Sequence, residues 1–560
     1  MKRGCVKIKK VCICGINSQY IHSNPAVYSL AAYYYENSRF SGTDKAFSVT
    51  IKEYTVNDII GNILLDIAAE RPEVLAFSVY IWNVETVKKL LSDVSKVLPE
   101  TQVVIGGPEV SFGTEHCGID DNLFDFVIEG EGELAFTEFL DTLSGEGKLP
   151  RKIRAERLLE MAEIPFIYEV FDLARFENRI IYYETSRGCP FGCSYCLSGG
   201  DKSPVRFLPV ETVFRHIDFF AENNVPLVKF VDRTFNCNPE RAKAIVGKIA
   251  SLPETCRTCF HFEVGADLFD NDFLGLLATL PKGRVQIEAG IQSTNNEVLS
   301  RCVRKTDNNR VFDNLQKICS YGNINVHTDL IAGLPGENLD SFKNSFNDVY
   351  ALRSHQFQLG FLKRLQGAPL CDTEKADGLV FSENSPYEIL ESACLSFGEI
   401  TELKEVEAAL ERYYNSGYYV ETLKRVDGCF GTSYEFYRRL AEYLKGQGLL
   451  WGGVSKRRAF DGLYEFCCGG VNDEALAETM LLDYFSSDKS ELPPDSLRFV
   501  WRHSRAYRNS ESEVYKALNI DDFAGFGIRY VGGNAYVFDY RGKDPVTGRY
   551  SLGGVVENVK

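Results

Sequence analysis

Short apolar runs alternate with segments whose apolar residues recur at helical spacing, and they do so in two successive stretches of the chain, which predicts two α/β regions. In the first stretch strands are expected over residues 11–16, 48–54, 74–79, 102–105 and 124–128. Helices fill the gaps over 25–36, 56–69, 84–97 and 133–143, the first opening on Pro25, which suits a first helical turn. Five strands joined by helical crossovers make a doubly wound α/β domain over 1–145, and such sheets bind ligands at the carboxyl ends of their strands. Residues 146–179 lose the alternation and read as a linker with a short helix or two. It returns over 180–370, with strands at 180–185, 227–231, 261–264, 285–291, 325–331 and 356–361. Helices at 210–222, 239–250, 270–278, 296–302, 310–319 and 339–351 complete six units of a partial (β/α)6 barrel, whose chemistry belongs at the strand ends. The remainder, 371–560, is mainly helical, for example over 387–403 and 434–444. It ends in β structure over 523–540, where Gly532-Gly533-Asn534 signals a hairpin.

Composition narrows the class. With 44% hydrophobic and 25% charged residues the chain suits a soluble globular protein rather than a disordered one. A net charge of −16 argues against general nucleic-acid binding. Residues 1–10 are basic, but no apolar run has the length of a signal peptide or a membrane span, so a cytoplasmic location and no membrane partner are expected. The 17 cysteines, an odd number without a secretion signal, fit reduced thiols better than a disulfide framework.

Three of those cysteines stand apart. Cys189, Cys193 and Cys196 lie at C-x3-C-x2-C spacing just after a predicted strand. Clusters are usually held by four cysteines, so a triplet suggests a cubane with one iron open to an outside ligand; a structural zinc knuckle is the competing account. Carboxylates and amides recur at the later strand ends, at Asp232, Glu263, Glu288 with Gln292 and Ser293, and Asp329. Unpaired buried charge costs several kcal/mol, so this repetition points to a polar cavity. Cys256 with Cys259 and the adjacent Cys467 and Cys468 read as structural, a second cluster on the former pair staying open.

The triplet, with Gly290-Ile291-Gln292-Ser293 and Asp329-Leu330-Ile331-Ala332-Gly333-Leu334-Pro335-Gly336-Glu337, resembles the radical S-adenosylmethionine (SAM) superfamily. Within it the core is similar to methylthiotransferases, oxygen-independent coproporphyrinogen dehydrogenases and the elongator acetyltransferase subunit, with a TIM-like barrel. The resemblance implies that Cys189, Cys193 and Cys196 ligate a [4Fe-4S] cluster whose open iron takes SAM. It places Gly199 and Gly200 at the SAM amino group, Tyr195 near adenine, Glu263 and Gln292 at the ribose or methionine, and Arg304 at the methionine carboxylate, with Arg301 competing. It also implies reductive cleavage of SAM to a 5′-deoxyadenosyl radical and a one-electron donor such as flavodoxin or ferredoxin.

The runs Val104-Ile105-Gly106-Gly107-Pro108-Glu109-Val110 and Val127-Ile128-Glu129-Gly130-Glu131-Gly132-Glu133 resemble the Rossmann-like cobalamin-binding domain found ahead of many radical SAM cores. Asn17, Ser78, Gly106 and Gly107 would then contact cobalamin. The Asp-x-His-x-x-Gly motif that supplies a lower cobalt ligand is missing. Near it stands only His22, in Gln19-Tyr20-Ile21-His22, and a lower histidine ligand is not expected. Glu129, Glu131 and Glu133 suit either a helix dipole or an inter-domain role. The arrangement with a long C-terminal extension is similar to cobalamin-type radical SAM proteins carrying a C-terminal domain of unknown function. The expected activity is cobalamin-dependent C-methylation of an unactivated carbon in an unidentified substrate. A cobalamin-independent dehydrogenase, cyclase or methylthiotransferase is the alternative, and an iron-sulfur redox sensor or electron carrier is the alternative of another class.

Overall fold

The computed structural model describes residues 9–43, 46–200, 203–471, 473–490, 492–504, 511–520 and 522–557, and the basic start is outside these except for its last two residues. Two compact units emerge. One comprises Met1–Glu263, Cys302–Arg304 and Lys363–Leu390, and the other Val264–Arg301, Lys305–Leu362 and Glu391–Lys560.

The first unit opens with the doubly wound domain. Its elements are β1 (Lys10–Asn17), α1 (Pro25–Asn37), β2 (Ser48–Thr55), α2 (Ile60–Glu70), β3 (Val74–Ser78), α3 (Val84–Val97), β4 (Gln102–Gly106), β5 (Phe126–Ile128), α4 (Gly132–Ser144) and β6 (Lys152–Ile153). All pair in parallel in the order β2-β1-β3-β4-β5-β6. β1 is buried along seven of its eight residues and β3 along all five, as expected where helices cover both faces of a parallel sheet. Two boundaries move for local reasons. α2 starts at Ile60 rather than 56, because the Asp58 carboxylate accepts from Thr55 N at 2.7 Å and holds a turn. β5 starts at Phe126 because Asp125 turns its carboxylate onto Val103 N, at 2.7 Å. The sixth strand, only two residues long, comes from the stretch read as linker.

The same unit continues through α5 (Ile167–Val170), β7 (Ile181–Tyr183), β8 (Ser186–Arg187), α6 (Leu197–Gly200), β9 (Arg206–Phe207), α7 (Val210–Glu222), β10 (Leu227–Phe230), α8 (Pro239–Ala250) and β11 (Cys259–Val264). β10 pairs in parallel with β7 and β11, and β8 with β9 as a short antiparallel ribbon. Residues 363–390 return to this unit.

The second unit carries α9 (Asn271–Ala278), β12 (Val285–Gln292), α10 (Asn296–Arg301), α11 (Asn308–Tyr321), β13 (Asn325–Ala332), α12 (Leu339–Ala351) and β14 (Gln356–Phe361). β13 pairs in parallel with β12 and β14. Thus all six strands expected of the partial barrel are present, three in each unit. The later helices Ser433–Gly446, Lys456–Cys468 and Leu476–Ser487 bury aromatic residues, among them Tyr434, Tyr437, Phe460 and Tyr484. Those aromatics are core rather than a cover for a site. A three-stranded antiparallel sheet closes the chain, its first two strands joined at Gly532-Gly533 and a third at Tyr550–Val556.

The helix expected over 387–403 is corrected. Ile389–Glu391 is a strand, Ser392 Oγ accepts from the backbone N–H of Cys394 and Leu395 in a turn, and the helix begins only at Phe397. Ser396 and Glu399 form a reciprocal capping box there, which fixes a start more firmly than apolar periodicity does. Among the described residues no helix is long and apolar enough to cross a membrane.

Candidate functional site

β7 is shorter than its apolar run because its continuation is captured by a side chain. Asp232, just past the end of β10, accepts from Thr185 N at 2.8 Å, Thr185 Oγ1 at 2.5 Å and Ser186 N at 2.5 Å. Burial pushes this carboxyl up, and the donors from Thr185 and the charge of Arg241 oppose that shift. One of the four strand-end carboxylates is therefore committed to shaping the backbone that leads into the cysteine loop.

In that loop Cys193 is buried while Cys189 and Cys196 are half-buried. Turn hydrogen bonds run from Cys196 N to Cys193 O (3.1 Å) and from Gly199 N to Cys196 O (3.0 Å). Two more braces come from distant sequence: Ser194 N donates to Cys302 O at 2.9 Å, and Leu370 N to Ser194 O at 2.8 Å. A β-carbon on Gly199 would lie 2.1 Å from Cys193 O, and one on Gly200 3.1 Å from Gly367 O. Both glycines thus have a packing reason to be where they are. Arg304 joins the same group, with Nη1 3.9 Å from Cys193 Sγ and 3.4 Å from the Tyr195 hydroxyl. Its competitor Arg301 packs against Gly336 in the second unit. Thr234 Oγ1 stands 3.8 Å from Cys189 Sγ. Cys237, which the sequence reading passed over, is pushed up to about 11 by burial and by Cys189 nearby. Glu263, on β11, lies 4.0 Å from Lys229 Nζ.

The acidic string of the first domain reaches this loop. Arg187 Nη1 donates to Glu131 at 2.9 Å, Nη2 to Glu133 at 2.6 Å and Nε to Glu184 at 2.9 Å. Arg206 pairs with Glu131 as well. Burial would raise Glu133, but Arg187 more than reverses this and, with Ser29, holds it down to about 2. Glu131 and Glu133 therefore fasten the first domain to the β8–β9 ribbon, whose two strands flank the cysteine loop. His22 does similar work. Its Nδ1 lies 2.6 Å from the Tyr182 hydroxyl, and Ile180 N donates to Ile21 O at 2.8 Å.

Between the first domain's sheet and the β7–α7 segment is a cavity of about 750 Å³, a volume typical of small-molecule sites. Ser78, Gly106 and Gly107 line it, along with Tyr80, Phe112 and His216. Gly107 has φ +113°, and a β-carbon there would lie 2.5 Å from Val79 O, so the turn after β4 accepts only glycine. Asn17 does not line the cavity. Its amide donates to His22 O and Glu53 Oε1, both at 3.0 Å. Tyr20, Trp82 and Phe112, on the loops after β1, β3 and β4, are exposed aromatics at the carboxyl edge of the sheet.

In the second unit Gln292 ends β12 at φ +71°, beside a register shift, and its Oε1 is buried without a hydrogen-bond partner. Ile291 N donates to Asp329 Oδ1 at 3.0 Å. Glu337 accepts from Ser293 Oγ at 2.7 Å, and burial pushes it up to about 7.

A model of the radical SAM superfamily matches residues 183–349 and a B12 binding domain model residues 12–140. The chain therefore contains a radical SAM core over residues 183–349. It carries the B12-binding type of domain ahead of that core, and residues 376–523 match a family described as a protein of unknown function, DUF4080. The chain is 29% identical over 340 residues to the cobalamin-dependent radical SAM methyltransferase TokK of Streptomyces tokunonensis, covering 55% of this chain and 49% of that protein. It is 28% identical over 348 residues, with the same coverage, to 2-(S-pantetheinyl)-carbapenam-3-carboxylate methyltransferase of Streptantibioticus cattleyicolor. The chain thus spans about half the length of these curated relatives. Among solved structures, the cobalamin-dependent S-adenosylmethionine radical enzyme OxsB aligns at 14% identity and TM-score 0.55 over 92% of this chain and 82% of that one. The radical SAM methyltransferase TsrM of Kitasatospora setae aligns at 16% identity and TM-score 0.52 over 67% and 77%. These likenesses show the fold.

Proposed function

We propose that this chain is a cobalamin-dependent radical SAM enzyme that methylates an unactivated carbon. The observation that carries the reading is the cysteine loop itself: three thiols on a backbone that admits no side chain at Gly199, with the Arg304 guanidinium against Cys193. Cys189, Cys193 and Cys196 would hold a [4Fe-4S] cluster and leave one iron for SAM. Tyr195, Gly199, Gly200, Glu263 and Gln292 would contact SAM. Arg304 would orient the methionine carboxylate, whose planar shape suits a guanidinium.

The cavity supports the corrinoid part. Ser78, Gly106 and Gly107 would receive the nucleotide tail of cobalamin, and the aromatic edge of Tyr20, Trp82 and Phe112 offers an apolar surface to the ring. Asn17 positions the loop after β1 rather than touching the cofactor. When bound, the cluster supplies the electron that cleaves SAM and cobalamin carries the methyl group. The chain's own residues would bind and orient these groups and exclude water. The domain limits we assign are 1–145, 146–179, 180–370 and 371–560. A small one-electron carrier of the flavodoxin or ferredoxin type would serve as donor.

Anaerobic reconstitution tests the reading. About four irons per chain, uptake of hydroxocobalamin seen by its absorption, and formation of 5′-deoxyadenosine with dithionite are expected. Cys193→Ala should abolish the iron. A chain that cleaves SAM yet takes up no cobalamin would remove the corrinoid half, and a variant that keeps a normal cluster without Cys193 would remove the whole.

A further inference from the structure

The loop after β4 holds a second group of metal-ligating side chains, well separated in sequence from the cysteine triplet. Glu109, His116 and Cys117 bring their ligand atoms within 4.8 Å of one another. Glu109 is 7% exposed and Cys117 3%, so this is no solvated acidic patch. His116 Nε2 lies 3.2 Å from Glu109 Oε1. Donors bound to one tetrahedral zinc at about 2.0 Å are separated by roughly 3.3 Å, so this pair already has the spacing of a coordination edge. Cys117 Sγ donates to Thr114 O, 3.2 Å away, while lying within 4.8 Å of the pair.

We propose that Glu109, His116 and Cys117 form a zinc site that fastens the loop after β4. One thiolate, one imidazole and one carboxylate suit zinc and do not suit an iron-sulfur cluster, which needs several thiolates. A fourth oxygen is at hand. The Tyr387 hydroxyl is buried close to Glu109, and burial, then Glu109, pushes the phenol up. The Tyr387 ring also meets His116 edge-on, at 6.1 Å between centroids. Burial, with Glu109 adding to it, pushes the Cys117 thiol up to about 11, so in the metal-free protein it is neutral. Forming the zinc–sulfur bond releases that proton to solvent. The site would tie the loop that carries Gly107 and Phe112 to the 363–390 segment through Tyr387, holding the wall of the cavity from outside.

The test uses the full chain with its iron-sulfur cluster reconstituted, produced with zinc in the medium and passed over a desalting column with chelator. Zinc is counted by plasma mass spectrometry, and its shell is read at the zinc absorption edge, where iron does not contribute. About one zinc per chain is expected, with one sulfur at about 2.3 Å and nitrogen or oxygen at about 2.0 Å. Cys117→Ala and His116→Gln should each lower retained zinc at least tenfold while the iron count stays unchanged. The unchanged iron count shows that a variant has folded, and His116→Gln decides the matter if Cys117→Ala does not fold. Absence of zinc in the wild-type chain, a shell with no sulfur or with two, or full zinc retention by a folded variant would each overturn the proposal.

Discussion

Arg187 Nη2 stands 2.6 Å from Glu133 Oε1, so the residue two places ahead of Cys189 is anchored in the first domain. Removing one member of a buried pair leaves a charge without compensation, at about 3–5 kcal/mol. Arg187→Met should therefore lower unfolding free energy in urea by about 3 kcal/mol. Adding Glu133→Gln should recover part of that loss, so the double variant is less destabilised than the two singles summed. Glu133 is held down to about 2 from an ordinary 4.5. The native state thus binds fewer protons than the unfolded chain in that range. The contribution is complete above about pH 4.5 and disappears as pH falls toward 2. Strict additivity at pH 7 would show that the two residues do not act as a pair.

Gly199 and Gly247 make a matched test of the cysteine loop. A β-carbon on Gly199 meets Cys193 O at 2.1 Å, whereas one on Gly247, in α8, meets nothing within 4 Å. Gly199→Ala should lose most of the iron after reconstitution. Gly247→Ala should keep all of it and gain about 0.5–1 kcal/mol in stability from helix propensity. Equal iron in both variants would mean that the close approach does not shape the loop.

Gln292 trades backbone comfort for position. At φ +71° it adopts a conformation that favours glycine, and such strain costs about 1–3 kcal/mol. Gln292→Gly should raise the unfolding midpoint while weakening SAM binding about tenfold by isothermal titration. Unchanged affinity would strike Gln292 from the SAM contacts.

Glu337 predicts the opposite pH trend from Glu133. Burial raises it from 4.5 to about 7, so the native state holds a proton that the unfolded chain has lost in that interval. Stability from this group is present below about pH 4.5 and declines as pH rises through 7. Glu337→Gln keeps the acceptor for Ser293 and should flatten the loss that denaturant melts record between about pH 4.5 and pH 7.

Much of this architecture was legible because buried parallel strands are written as continuous apolar runs. α3, α7, α8, α12 and β14 match their expected limits. The triplet was legible as spacing alone. What escaped was whatever depends on partners far off in sequence. The Arg187 contacts to Glu131 and Glu133 cross more than fifty residues, and the acidic string could equally have served a helix dipole. β7 ends early because of Asp232, whose carboxylate comes from the neighbouring strand's exit. β6 has two residues and no periodicity to detect. Gln292 was named as a candidate, yet its left-handed backbone leaves no trace in composition. Glu109 precedes the adjacent His116 and Cys117 by seven and eight residues on an irregular loop, with no second close pair of ligands to mark a metal motif.

Residues 363–390 give the cysteine loop a support that comes after the last barrel strand. Leu370 N donates to Ser194 O, and Gly367 O faces Gly200. A chain stopped at Leu362 would contain every strand of the barrel and still lack this brace. A truncation that keeps the first unit whole must therefore run to Leu390, and a swap of the C-terminal region that spares the brace must be spliced beyond it.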